Sequence, residues 1–224
     1  MSFDVKKGFY VSTVILDAPW EEEIEKIETV KGEHLTKACQ EDRNFDEYMS
    51  WLSFKSLDGK PETKPSKVDE QGNPLGELPE HFKWTPLYYN NPALKATIDW
   101  FPVDKTRVRI GRSHPGKYLQ LHYDWDNARH QFSSQNHMVR IWVQLEHHES
   151  WYRLSNGDVD VNFKLQRGQF VVLDVDTIFH AVENADTRTR SNLIINCMSN
   201  SWIKNLPDLF PKRKLIDPRV NDNQ

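Results

Sequence analysis

Disulfides, long apolar runs and concentrated charge are all missing from this sequence, and each absence removes a class of protein. Its two cysteines, Cys39 and Cys197, lie far apart and outside any metal-type spacing, so neither a disulfide framework nor a thiol site is indicated. A reducing cytosol fits that usage. The longest apolar stretches, such as Phe170 to Leu173, are strand-sized, and Met1 to Tyr10 carries lysines without an apolar segment leading to a cleavage site. A soluble, unexported, cytoplasmic protein is expected. The 33 acidic and 29 basic side chains are scattered, with a formal charge of −4 and no basic block to neutralise phosphates, so nucleic-acid and membrane binding gain no support. Internal repeats are absent as well. At 224 residues the chain is long enough for one well-buried core and too short for two ordinary domains plus a linker, so one domain spanning 1–224 is expected.

What is present changes character along the chain. Ala18-Pro19-Trp20 followed by Glu21 to Val30 predicts a helix whose first-turn glutamates complement the positive end of its dipole. Ser56 to Glu80 is rich in Lys, Glu, Pro, Gly and Asp and reads as a surface loop that could cover a site mouth. Asn91-Pro92-Ala93-Leu94 opens a second helix through Phe101, with Pro92 at its first position. From Thr106 onward short apolar–polar alternations broken by turn residues predict antiparallel strands at Arg107–Arg112, Tyr118–Tyr123, Val139–Glu146, Val159–Leu165, Phe170–Asp174 and Ser191–Cys197. Asn156-Gly157 marks a hairpin, because both residues tolerate positive φ. Many short strands after helices predict a mainly β fold, a double-stranded β-helix or jelly roll with N-terminal supporting helices.

Three sequence features carry chemistry. In Leu121-His122-Tyr123-Asp124, at the end of an expected strand, positions i and i+2 face the same way, so His122 and Asp124 can share one metal ion. Gly168-Gln169-Phe170-Val171-Val172-Leu173-Asp174, a turn glycine entering a buried strand, is followed after a short loop by His180, a third ligand from a neighbouring strand. Two imidazoles and one carboxylate on one face of a metal leave positions open for a chelating co-substrate and O₂, the arrangement of non-haem Fe(II) sites. A closed structural zinc site would want a fourth protein ligand. Arg190, ten residues after His180, can grip a carboxylate bidentately about one small diacid's length from the metal, with Arg188 as a rival.

These features, in order and spacing, resemble the aspartyl/asparaginyl β-hydroxylase-like branch of the Fe(II)/2-oxoglutarate oxygenases, which includes proline-hydroxylase-type enzymes. The resemblance runs from Lys83-Trp84-Thr85 and Pro92-Ala93-Leu94 through Arg107-Val108-Arg109-Ile110, Pro115-Gly116 and His122-x-Asp124. It continues through Arg140 and its strand to Gly168-x-x-x-x-Leu173-Asp174 and His180-x-Val182-x-Asn184 with Arg190, a catalytic core of about 84–200. It implies that His122, Asp124 and His180 bind iron and that Arg190 binds the distal carboxylate of 2-oxoglutarate. Arg140 matches an arginine that the family places near the co-substrate or substrate, although the histidine common two residues later is Trp142 here. The implied activity consumes O₂, decarboxylates 2-oxoglutarate to succinate and hydroxylates a C–H bond of a free amino acid or of a residue in a peptide.

Other residues are set aside. His147-His148 and His130 read as surface residues, since adjacent strand histidines face opposite ways. His114 before Pro115-Gly116 reads as a local turn contact, and His137 as a solvated strand end. Trp125, Trp142 and Trp151 are candidate pocket walls, Trp142 foremost because it shares Arg140's strand face. Two rival readings stay open: a jelly-roll metalloenzyme that does not use 2-oxoglutarate, which would not need Arg190, and a catalytically silent jelly-roll binding module.

Overall fold

A computed structural model describes residues 8–27, 30–31, 49–62, 79–122, 138–175 and 177–220. Its framework is eight strands: β5 (Lys105–Ser113), β6 (Tyr118–His122), β7 (Met138–Gln144), β8 (Ser150–Ser155), β9 (Asp160–Phe163), β10 (Gln169–Leu173), β11 (Phe179–Asn184) and β12 (Arg190–Met198). They wind between two antiparallel sheets, β10-β7-β12-β5 in the major one and β6-β11-β8-β9 in the minor one. That winding is the double-stranded β-helix expected from the alternating strands.

The major sheet is extended on both flanks. β1 (Phe9–Leu16) adds beside β10, with β13 (Lys214–Ile216) parallel to it, and β3 (Met49–Ser56) adds beside β5, carrying β2 (Val30–Lys31) and β4 (Lys83–Trp84). β1 and β3 escape a local reading because their partners are distant in sequence, and β3 is buried on both faces from Ser50 to Ser56, so it lacks a clean alternation. The expected hairpin joins β8 and β9, but through four residues, Asn156 to Val159, and only Gly157 has positive φ, at 91°.

Helices cover one face of the major sheet. α1 (Glu21–Lys26) is shorter than Glu21–Val30 because Ile27 turns extended, at φ −87° and ψ 110°, and Val30 enters β2. After α2 (Pro86–Asn90) comes α3 (Pro92–Trp100), with Pro92 in its first turn as expected. Glu23 of α1 accepts from the backbone N–H of Ala93 (2.8 Å) and Leu94 (2.9 Å), capping α3 where its own donors have no intrahelical partner. Leu94, Ile98 and Trp100 of α3 pack with Val108, Ile110, Ile141, Val143, Phe170, Leu193 and Ile195 of the sheet, an apolar core between helices and strands. Two short helices, α4 (Ser201–Lys204) and α5 (Leu206–Leu209), complete the C-terminal part. Among the described residues no helix is long and apolar enough to cross a membrane.

Gly168 before β10 has φ 78°, and a Cβ there would lie 1.8 Å from the Leu16 carbonyl oxygen, so only glycine lets β1 approach this turn. The same turn delivers β10 to the sheet and, after it, β11 with His180 to the opposite one.

Candidate active site inside the double-stranded β-helix

The face of the major sheet that looks at the minor sheet mixes apolar residues with buried polar ones. Register sets the rows: Arg190 lies opposite Ser113, Asn192 opposite Gly111 and Gln144, Ile194 opposite Arg109 and Trp142, and Asn196 opposite Arg140. Arg190, Asn192, Gln144, Asn196 and Arg140 are all buried, with exposures from 1% to 7%. No aspartate or glutamate among the described residues is buried. Burying the Arg190 guanidinium with no carboxylate partner among the described residues is unfavourable, so its end of the interior suits an anion.

His122 and His180 meet because β6 and β11 pair in register at those two residues. Their ring centroids are 4.3 Å apart. His180 is fully buried, and its Nδ1 lies 3.0 Å from the Ile178 carbonyl oxygen. A carbonyl can only accept, so Nδ1 carries the proton and Nε2 the lone pair, the tautomer a metal ligand needs. Asp124 lies outside the described residues. Among those that are described, no group of three or more His, Cys, Asp or Glu is placed to hold a metal ion.

Arg190, at the first position of β12, sits at the opposite end of this interior. Its Nη2 donates to Ser113 Oγ (3.0 Å), and its guanidinium carbon lies 5.1 Å from the Tyr152 ring centre. With the Asn192 amide oxygen facing it, Nη2 and Nε donate there at 2.8 Å and 3.3 Å, while the amide nitrogen donates to Gln144 Oε1 at 3.0 Å. Tyr152 Oη also donates to Gln144 Oε1 (2.8 Å), so these side chains hold one another. Nη1, also buried, has no hydrogen-bond partner among the described residues. A guanidinium at 1% exposure, held through two nitrogens and with the third lacking a partner among the described residues, has the chemistry to bind a carboxylate.

The two ends can be ordered along the strands. β10 leaves the major sheet at Leu173, opposite Arg140, and β11 begins six residues later at Phe179, so Arg140 and His180 share one end. Asn184, the last residue of β11, donates to the Ser113 carbonyl (2.8 Å) at the Arg190 end. Trp142 lies between, its ring 5.4 Å from His180 and 5.8 Å from Tyr152. From the row of Arg190 to that of Arg140 is about 20 Å of strand, and Arg140 donates from Nε to Asn196 Oδ1 (2.9 Å). The two arginines therefore address different ends of the interior.

Arg188 is not on this face. It precedes β12, its side chain is 66% exposed, and it binds Asp186 and the His147 carbonyl. His147 is exposed as expected, but the expectation fails for His148, whose side chain is 1% exposed because Ser150 Oγ (2.8 Å) and the Arg188 carbonyl (3.1 Å) hold its two ring nitrogens. Trp151 faces outward, 44% exposed under Lys164, whereas Trp142 faces the interior. His114 stands in the turn before Gly116, its carbonyl accepting from Lys117 N. His130, His137 and Trp125 lie outside the described residues, as do 63–78 of the expected loop. Arg109 is half-buried, 5.7 Å from the Trp51 ring centre. Ser113, Gln144, Tyr152 and Asn192 were not foreseen, though Gln144 and Asn192 share the alternation of Arg140 and Arg190 and so fall on the same face.

No protein-family model matches the sequence, and no curated protein does. Among solved structures the chain is similar to a 2OG-Fe(II) oxygenase family oxidoreductase from Burkholderia pseudomallei, with 11% identity and a TM-score of 0.43 over 67% of this chain and 68% of that one. It is also similar to a prolyl-4-hydroxylase from Pseudomonas putida, with 20% identity and a TM-score of 0.32 over 42% of this chain and 52% of that one. A third is the cupin domain of Drosophila melanogaster CENP-C, with 14% identity and a TM-score of 0.31 over 40% and 59%. The matched part is less than two thirds of the length of the last two.

Proposed function

We propose that this protein is an Fe(II)- and 2-oxoglutarate-dependent dioxygenase that hydroxylates a C–H bond of an amino acid, free or within a peptide. The observation that carries the reading is the buried Arg190 guanidinium, with Nη1 lacking a partner among the described residues, in the same interior as two facing imidazoles. This donor set fits both implied groups: two imidazoles for a divalent metal, and a buried guanidinium that pairs with no carboxylate among the described residues for a small diacid.

His122 and His180, completed by Asp124, would hold the iron. Arg190 would take the far carboxylate of 2-oxoglutarate through Nη1, its other nitrogens being held by Ser113 and Asn192 so that the fork is already oriented. Arg140, at the metal end, is a second cation for the co-substrate or for an incoming anionic substrate. Phe9, Trp142, Val171, Leu173, Ile178 and Ile194 give this end apolar walls that exclude water. Bound iron would supply the O₂ chemistry that couples decarboxylation of 2-oxoglutarate, to succinate and CO₂, with transfer of one oxygen atom to the substrate. The ligand set and the clamp are what the chain itself contributes.

The test is mass spectrometry of candidate amino acids and peptides incubated with protein, Fe(II), 2-oxoglutarate and O₂. Gain of one oxygen matched by succinate supports the reading. Metal-dependent product without any need for 2-oxoglutarate would transfer the protein to another class of jelly-roll metalloenzyme.

A further inference from the structure

Trp142 is a second buried donor with no acceptor among the described residues. Its side chain belongs to a residue only 5% exposed, and Nε1 has no hydrogen-bond partner among the described residues. Trp20, also buried, shows what burial ordinarily requires: its Nε1 donates to Thr97 Oγ1 at 2.8 Å. Packing accounts for the position of the Trp142 ring, which meets His180 nearly edge-on, with 72° between planes, and tilts against Tyr152. It does not account for a buried N–H without an acceptor among the described residues, which disfavours the fold unless something accepts from it.

Another such donor on this face is Arg190 Nη1, and the Tyr152 ring is near both, 5.1 Å from the guanidinium carbon and 5.8 Å from the Trp142 ring. Among the described residues neither donor meets an acceptor, and no buried aspartate or glutamate there provides one. A ligand with an anionic acceptor at each end would satisfy both. Resting on the reading above, we propose that Trp142 binds the co-substrate, its Nε1–H donating to the carboxylate of 2-oxoglutarate at the metal end while Arg190 holds the carboxylate at the other.

The experiment uses ¹⁵N-labelled protein with Zn(II) as a diamagnetic metal. The Trp142 indole N–H resonance is assigned by its absence in Trp142→His and Trp142→Phe; if the Phe variant does not fold, the His variant alone assigns it. Adding 2-oxoglutarate should move that resonance downfield, as a new charge-assisted bond requires. Calorimetry on the same Zn(II) protein should show Trp142→Phe binding 2-oxoglutarate about tenfold more weakly, and Trp142→His, which restores a ring N–H, recovering part of the loss. If 2-oxoglutarate binds in an Arg190-dependent way while the Trp142 resonance stays in place and the Phe variant binds normally, this inference fails and the functional reading stands. If wild-type protein does not bind 2-oxoglutarate, the functional reading fails and this inference with it.

Discussion

Replacing Arg190 by methionine should leave the ligand-free protein nearly as stable as before while removing its co-substrate. The side chain is 1% exposed and pairs with no carboxylate among the described residues. Exchanging a buried charge for an apolar chain of similar length is often neutral or stabilising by about 1–4 kcal/mol. Against this stand the contacts to Ser113, Asn192 and the Tyr152 ring, whose loss costs about 1–3 kcal/mol. The two effects nearly offset, so the net change lies between about 2 kcal/mol of destabilisation and about 3 kcal/mol of stabilisation. For a chain of this size that lowers the ligand-free Tm by no more than about 8 °C. Loss of the clamp should cost about 2–5 kcal/mol of 2-oxoglutarate binding, at least about 30-fold in Kd. In a thermal-shift assay with Zn(II), 2-oxoglutarate at a hundred times Kd should stabilise wild type by about 2.7 kcal/mol, and the same concentration should leave Arg190→Met nearly unshifted. Arg188→Ala, at an exposed position, should respond like wild type. A Tm that falls by about 10 °C in Arg190→Met, with the ligand-induced shift intact, would refute the reasoning and make Arg190 a structural cation.

Three further outcomes follow from the structure. His122→Ala, His180→Ala and Asp124→Ala should each abolish Fe(II) binding, measured by metal analysis after purification with added iron, because two remaining ligands hold a labile divalent ion poorly. Gly168→Ala should destabilise the fold by about 4 kcal/mol or more in denaturant unfolding, since its Cβ would lie 1.8 Å from the Leu16 oxygen at φ 78°; wild-type stability would mean β1 does not pass that close. Burial holds His148 below the ordinary histidine pKa of 6.5. As pH falls below that value the unfolded chain takes up a proton that the folded chain resists, so stability is lost on the acid side. His148→Gln should flatten the decline in denaturant midpoint between pH 7.5 and 5, and an unchanged slope would contradict it.

How much of this was legible in the sequence depended on how local the signal is. β10 and β12 are written as apolar runs because both of their faces are covered, and β5 alternates openly. β8 hid because its alternation is inverted: Trp151 and Arg153 face outward, while Ser150, Tyr152 and Leu154 face inward. α1 was drawn too long because nothing in its residues marks Ile27 as the point where the chain turns toward β2. The metal and clamp residues stood out through spacing. Their companions did not, since Ser113, Gln144 and Asn192 are ordinary polar residues whose importance comes from the register that aligns β5, β7 and β12 around Arg190. His148 misled for the related reason that the Asn184–Arg190 connection, which buries it, is joined to it only in three dimensions.

The central claim is that one interior holds both a metal and 2-oxoglutarate, and an anaerobic titration tests it directly. Adding 2-oxoglutarate to the Fe(II) protein should produce a visible metal-to-ligand charge-transfer band, whose midpoint rises steeply in Arg190→Ala while iron binding is retained. No band in the wild-type protein with iron bound, and no succinate on admitting O₂ with any substrate, would contradict the account.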